Sequence, residues 1–155
     1  MKKMSTGGKI TLVVEDEPAI AYICRESLRA IGFTVDTAIN GKVAQKKIER
    51  KQYDLYLIDI KMPEMGGIEL YQWLCEKHPN STGRVMFITG SVMGGNTMHF
   101  LEQSGRPLLL KPFTPDELKS AVSKAFKEIK RNRGTQFDPE VVDASSRSRD
   151  KEATS

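Results

Sequence analysis

The sequence predicts a doubly wound α/β fold in which five parallel strands alternate with five helices. Its 155 residues suit one domain. Short apolar runs alternate along the chain with amphipathic segments, and most of the strand-like runs are apolar on both faces. Such strands, joined by helices, indicate a parallel sheet covered on both sides with right-handed crossovers.

The first half of the chain predicts three strands and two helices. Pro18 is tolerated in the first turn of a helix, and Gly32 supplies a stop for it. Asn40-Gly41 breaks the chain before the second helix, which ends near Lys51. In chain order the predicted elements are the strand 9–16, the helix 17–31, the half-exposed edge strand 33–37, the second helix and the apolar strand 53–59.

The second half predicts two strands and three helices, followed by a polar tail. Pro115 at the first helical position marks the start of the last helix. The tail, residues 132–155, has few apolar residues and is predicted to be disordered. The predicted elements are the helix 68–77, the strand 84–89, a weakly amphipathic helix 96–103, the strand 107–110 and the helix 116–131.

Composition excludes several classes of function. The net charge is +4, but the basic residues cluster on solvated helix faces without interleaved aromatic residues, so no direct binding of nucleic acid is expected. No apolar run approaches the ~20 residues that span a bilayer, and no secretory signal follows the basic start. The two cysteines are expected to be buried thiols in a reducing compartment. These features predict a cytoplasmic protein that does not contact membranes.

Chemically active side chains follow four of the predicted strands. Glu15-Asp16 follows the first, and Asp59, Thr89 and Lys111 end or follow three later ones. Ligands of an open parallel α/β sheet lie outside the carboxyl ends of its strands, so these groups should meet at one edge. Three carboxylates, a hydroxyl and an ammonium group there predict a site for a divalent cation and a phosphoryl group.

The residue types suggest a role for each group. Carboxylates favour Mg²⁺, for which Glu15 and Asp16 are candidate ligands, Asp16 the more direct. Asp59 is expected to ligate the metal with one oxygen and to attack phosphorus with the other, since carboxylates form acyl phosphates. Lys111 would pair with phosphoryl oxygens, or with Asp59 at rest, and Thr89 would hydrogen-bond a phosphoryl oxygen.

The ordered set of motifs resembles the response-regulator receiver domain of two-component signalling. The resemblance runs from about Gly8 to Arg131. Residues 100–107 resemble the receivers of hybrid histidine kinases more than those of DNA-binding regulators. It implies a flavodoxin-like sheet in the order 2-1-3-4-5, a receiver domain over 8–131, and a phosphohistidine donor on a histidine kinase or phosphotransfer domain. It also implies a cis peptide before Pro112 and the backbone carbonyl of Lys61 as a third metal ligand. The motifs that carry it are Glu15-Asp16, Pro18, Asn40-Gly41, Asp59 to Gly67, Thr89 and Lys111-Pro112-Phe113.

One position departs from the family's pattern and keeps a second function open. Receivers usually carry Tyr or Phe three residues before the lysine, where this chain has Leu108. The leading hypothesis is a signalling module, not an enzyme acting on other molecules, that accepts a phosphoryl group on Asp59 and changes its affinity for an unknown downstream protein. The alternative is a receiver-like domain that binds its partner constitutively. A flavodoxin-like nucleotide binder ranks last, because an acidic turn without glycine after the first strand would repel a pyrophosphate.

Overall fold

The computed structural model describes residues 8–92 and 95–134. The chain divides into two compact units after Ser123. The first holds the whole sheet, and the second contributes the end of the last helix to the described residues. The strands are β1 (Lys9–Val14), β2 (Phe33–Ala38), β3 (Leu55–Asp59), β4 (Val85–Thr89) and β5 (Leu108–Leu110). The helices are α1 (Pro18–Ala30), α2 (Gly41–Arg50), α3 (Gly67–Lys77), α4 (Gly95–Ser104) and α5 (Pro115–Gly134).

All five strands of the described sheet run parallel, in the order β2-β1-β3-β4-β5. This is the predicted order 2-1-3-4-5, so the fold prediction is confirmed. β1 lies between β2 and β3, and the direction of winding reverses there. The crevice outside the carboxyl ends of β1 and β3 is the place where an open α/β sheet holds its ligand.

Burial follows the predicted character of each strand. Every residue of β3 and β4 is buried, as expected for central strands covered on both faces. β2 lies at the sheet edge, and its interior residues are half-buried or exposed. The largest side chains that are fully buried include Tyr53, Tyr56 and Phe87. Three rings, Tyr71, Phe87 and Phe100, contact each other edge to face at centroid distances of 5.4–5.6 Å.

Two predicted helix starts are built by side chains that cap the backbone. Asn40 Oδ1 accepts a hydrogen bond from Val43 N at 2.9 Å at the start of α2. At α5, Glu117 N donates to Thr114 Oγ1 at 3.0 Å and Thr114 N donates to Glu117 Oε1 at 2.8 Å, which is a reciprocal capping box. α5 begins at Pro115, the residue predicted at its first position, and the reciprocal bonds of Thr114 and Glu117 satisfy free backbone groups at that end.

Three details differ from the sequence predictions or lie beyond them. A 3-10 helix over Pro79–Arg84 follows α3, where only a break was expected. Cys24 is buried as predicted, whereas Cys75 is exposed, because it lies on the solvent side of α3. α5 continues to Gly134.

Residues 135–155 of the predicted disordered tail lie outside the described residues. None of the helices in the described parts of the chain is both long and apolar enough to cross a membrane.

The loop between β3 and α3 contains a strained residue. Glu64 has a φ of 68° and is exposed. A side chain in this left-handed conformation costs about 1–2 kcal/mol, whereas glycine adopts it freely. We expect Glu64→Gly to raise the free energy of unfolding by about 0.5–1 kcal/mol in urea denaturation. Glu64→Ala is the control, because alanine shares the penalty; equal stability of the two variants would contradict the prediction.

Candidate functional site

The predicted site residues lie where their strands end, and backbone hydrogen bonds hold them there. Glu15 N donates to Ala38 O at 2.9 Å, so the residue after β1 remains tied to β2. Lys111 N donates to Thr89 O at 2.8 Å, which keeps the residue after β5 against the end of β4. Asp59 ends β3 between them. The sheet thus brings groups far apart in sequence to one edge.

Lys111 is the hub of the cluster that forms at this edge. Its Nζ lies 2.8 Å from Glu17 Oε1, 3.0 Å from Glu15 Oε1 and 3.2 Å from Asp59 Oδ2. The Glu15 and Asp59 side chains are only 0% and 3% exposed, whereas that of Glu17 is 60% exposed. One ammonium group therefore faces two buried carboxylates and one that is open to solvent.

The two oxygens of Glu15 have different surroundings. Oε2 accepts a hydrogen bond from Glu17 N at 3.0 Å. Oε1 lies at ion-pair distance, 3.0 Å, from Lys111 Nζ and is a buried oxygen without a hydrogen-bond partner. Burial raises the pKa of Glu15 to about 7; the charge of Asp59 adds to this rise, and the hydrogen bond from Glu17 N opposes it. A buried carboxylate oxygen without a hydrogen-bond partner is costly, and a bound cation would lower that cost.

The same cluster acts in the opposite sense on the lysine. Burial alone would lower the pKa of Lys111, but the close contacts with the carboxylates of Glu17 and Glu15 and the charge of Asp59 raise it above its ordinary value. The ammonium group therefore remains protonated at any physiological pH. Its positive charge balances only part of the negative charge around it.

Among the described residues, Glu15, Glu17 and Asp59 can each offer an oxygen within 4.8 Å of the others, a spacing that suits one metal ion. Carboxylate oxygens are what Mg²⁺ prefers, and Oε1 of Glu15 is a buried oxygen without a hydrogen-bond partner, so Glu15 and Asp59 fit the predicted ion. Glu17 was not among the site residues predicted from the sequence. The available signal was that it completes the acidic run Glu15-Asp16-Glu17.

Asp16 and Lys61 were predicted to be metal ligands, and that role remains a prediction. Asp16 is half-buried and, together with Glu15, lines a groove of about 310 Å³, but its carboxylate is not among the three that lie within 4.8 Å of one another. Lys61 N lies 3.4 Å from Asp59 Oδ1, to which it donates. That contact places the Lys61 backbone beside Asp59 but leaves the role of its carbonyl untested.

Thr89 is buried at the end of β4 with its hydroxyl engaged elsewhere. Oγ1 donates to Ser91 O at 3.1 Å and accepts from Ser91 N at 3.4 Å. The hydroxyl thus holds the following loop in this structure, and its predicted bond to a phosphoryl oxygen stays a prediction. The cis peptide implied before Pro112 is present.

Gly67 allows the start of α3 to pack directly against the backbone at the end of β3. Its N donates to Ile60 O at 2.9 Å. A Cβ placed on it would fall against Asp59 O and 2.8 Å from Ile60 Cα. Only a residue without a side chain fits between α3 and the backbone at the end of β3.

Leu108 lies beside the aromatic cluster. It opposes Phe87 in the β4–β5 register and is half-buried against the core. Leucine has neither a hydroxyl group nor a ring, so it cannot make the contacts that an aromatic residue would make at this place. The departure seen in the sequence is therefore a real difference in the side chains available near Thr89.

The fold and the acidic edge define a CheY-like α/β domain. A receiver domain protein (CheY-like) from Methanospirillum hungatei superposes with a TM-score of 0.72 at 26% identity, over 81% of this chain and 99% of that one. The signal receiver domain of a histidine kinase from Syntrophus aciditrophicus gives a TM-score of 0.71 at 26% identity, over 80% and 94%. The chain belongs to the response regulator receiver domain family, whose model matches residues 11–123.

Curated relatives with which this chain aligns are longer proteins. The transcription factor SKN7 of Saccharomyces cerevisiae is 32% identical over 76% of this chain and 18% of its own length. The phosphate regulon transcriptional regulatory protein PhoB of Rhizobium meliloti is 29% identical over 76% and 52%. The sensor protein EvgS of Escherichia coli is 31% identical over 72% and 9%. The chain thus spans about half of these relatives' length or less.

Proposed function

We propose that this domain accepts a phosphoryl group on Asp59 from a phosphohistidine of a histidine kinase or phosphotransfer domain. The observation that supports it best is that two buried carboxylates, Asp59 and Glu15, each have an oxygen within 3.2 Å of the protonated Nζ of Lys111. Asp59 is the acceptor because it ends a central strand and its Oδ2 already contacts the ammonium group. Proteins of this family act as signalling modules.

The transfer needs only positioned groups. An oxygen of Asp59 attacks phosphorus, the P–N bond to the donor imidazole breaks, and the freed imidazole takes a proton from solvent. Lys111 stays protonated and pairs with the new phosphoryl oxygens. When bound, Mg²⁺ supplies positive charge that offsets the phosphoryl oxygens. Glu15 and Asp59 would hold it, with Asp16 and the carbonyl of Lys61 as further proposed ligands, whereas Glu17 pairs with Lys111.

Later hydrolysis returns the domain to its resting state. Water attacks phosphorus, the bond between phosphorus and the Asp59 oxygen breaks, and inorganic phosphate leaves. Thr89 is proposed to bind a phosphoryl oxygen once its hydroxyl leaves Ser91. Movement of this loop and of the adjoining α4 and β5 is the proposed means by which the affinity for a downstream protein changes. We place the domain in the cytoplasm, without direct contact to nucleic acid or membrane.

Phosphorylation of Asp59 can be tested with a small donor. With Mg²⁺ and acetyl phosphate, intact mass is expected to rise by one phosphoryl group that is stable in acid and labile in base. Asp59→Asn should lose this gain entirely, because an amide is not a nucleophile towards phosphorus. Asp116→Asn is the matched control, since the Asp116 side chain is 94% exposed. A wild-type protein that gains no mass, or an unchanged gain in Asp59→Asn, would refute the proposal.

A constitutive interaction module is the second candidate, and Leu108 favours it. The half-buried leucine cannot swing a ring towards the site in response to phosphorylation. The intact cluster around Asp59 weighs against this candidate, because a domain without phosphorylation has no use for two buried carboxylates. The acetyl phosphate experiment distinguishes the two candidates, because only the leading one requires the mass gain on Asp59.

A further inference from the structure

Glu17 occupies an unusual position for a residue that begins a helix. It is the N-cap of α1, yet its side chain makes no capping hydrogen bond. Its Oε1 instead accepts a hydrogen bond from Lys111 Nζ at 2.8 Å, across 94 residues of sequence. Short polar side chains such as Ser, Thr, Asp and Asn satisfy the first free N–H groups when they occupy the N-cap. The Glu17 carboxylate does not cap the helix and contacts the lysine of the site.

The contact with Glu17 competes with the one that the lysine makes to Asp59. Lys111 has three N–H donors, and its shortest contact, 2.8 Å, is to Glu17, against 3.2 Å to Asp59. Each donor that is committed to Glu17 is unavailable to an incoming phosphoryl group. Glu17 also adds a negative charge within 4.8 Å of an oxygen of Asp59, the residue to which that group would attach.

Glu17 is also the member of the cluster that can give way. Its side chain is 60% exposed, whereas those of Glu15 and Asp59 are buried. An exposed carboxylate can rotate towards the solvent at little cost in free energy, so its ion pair is weak and reversible. A buried carboxylate that lost the lysine would remain desolvated and unpaired.

We propose that Glu17 is a positioning residue that holds Lys111 in the resting domain and thereby slows the phosphorylation of Asp59. Lys111 leaves Glu17 to contact the phosphoryl oxygens, and the strength of the Glu17 contact sets part of the barrier. This inference rests on the proposed function of Asp59.

The rate of phosphorylation tests the inference. With saturating Mg²⁺ and acetyl phosphate, Glu17→Gln is expected to gain the phosphoryl group about twofold to fivefold faster than wild type, as suits an exposed ion pair. Glu26→Gln is the matched control, because it removes the same charge from α1 at a residue that pairs only with Arg25 and Arg29 among the described ion pairs. Its rate should equal that of wild type.

A second readout reports the position of the lysine. The Cε signal of Lys111 in the NMR spectrum of the metal-free protein is expected to shift in Glu17→Gln and to stay in place in Glu26→Gln. An unchanged or slower rate in Glu17→Gln, or an unmoved Lys111 signal, would overturn the inference. If wild type and both variants gained no phosphoryl group at all, the proposed function of Asp59 would fail instead, so the two failures are distinguishable.

Discussion

Without Mg²⁺, the free energy of unfolding is expected to fall by about 1–3 kcal/mol as the pH rises from about 4.5 to about 7, through Glu15 alone. Its pKa is about 7 in the folded protein, whereas an unperturbed glutamate, as in the unfolded chain, has a pKa of 4.5. Between these values the folded protein binds more protons than the unfolded chain, so the contribution is complete below 4.5 and is lost as the pH passes 7. Burial of the carboxylate is the main cause.

The contribution of Glu15 can be isolated by comparing two proteins. Urea denaturation of wild type and Glu15→Gln across this pH range subtracts the other titrating groups. The glutamine variant should have a flatter profile, because a neutral amide replaces the group that titrates. Parallel profiles would show that Glu15 ionises normally in the folded protein.

Adding Mg²⁺ should reverse the loss in wild type. A metal held by ionised carboxylates binds best above the pKa of Glu15, and at about 100 times its dissociation constant it stabilises by about 2.7 kcal/mol. We expect a larger gain at about pH 8 than at about pH 5, and a smaller difference in Glu15→Gln. Equal gains at both pH values would contradict a metal site that uses Glu15.

Much of the fold could be predicted because the signals for it are local. Apolar runs such as Leu55 to Ile58 contain no polar interruption and became central strands. Asn40 and Thr114 could be identified as helix starts, since capping depends on residues three positions apart. The meeting of Asp59 and Lys111 followed from topology, because every parallel strand ends at the same edge.

The details of the site could not be predicted, because they depend on the directions of side chains. The acidic run Glu15-Asp16-Glu17 has one backbone path, but the location of the lysine decides which carboxylates turn inwards. Glu15 and Glu17 contact Lys111, whereas Asp16 has no ion pair with it among the described residues and lines a groove beside Glu15. The hydroxyl of Thr89 likewise follows the loop at Ser91, which no spacing in the sequence announces.

Replacing Lys111 by methionine is expected to lower the free energy of unfolding by about 2–4 kcal/mol at about pH 8 without Mg²⁺. Methionine keeps most of the volume of the side chain but removes the charge. Glu15 and Asp59, with side chains 0% and 3% exposed, would then face each other without a cation. The penalty is slightly below that of a fully buried pair because the Lys111 side chain is 14% exposed.

Two treatments should restore the stability of Lys111→Met, and both follow from the charge. Saturating Mg²⁺ supplies a substitute cation, and a second substitution, Asp59→Asn, removes the repulsion with Glu15. Lys119→Met is the matched control, since Lys119 pairs with Asp116, which is 94% exposed, and its loss should cost no more than about 0.5 kcal/mol. A Lys111→Met protein as stable as that control in urea denaturation would mean that water, rather than the lysine, balances the carboxylates at this edge of the sheet.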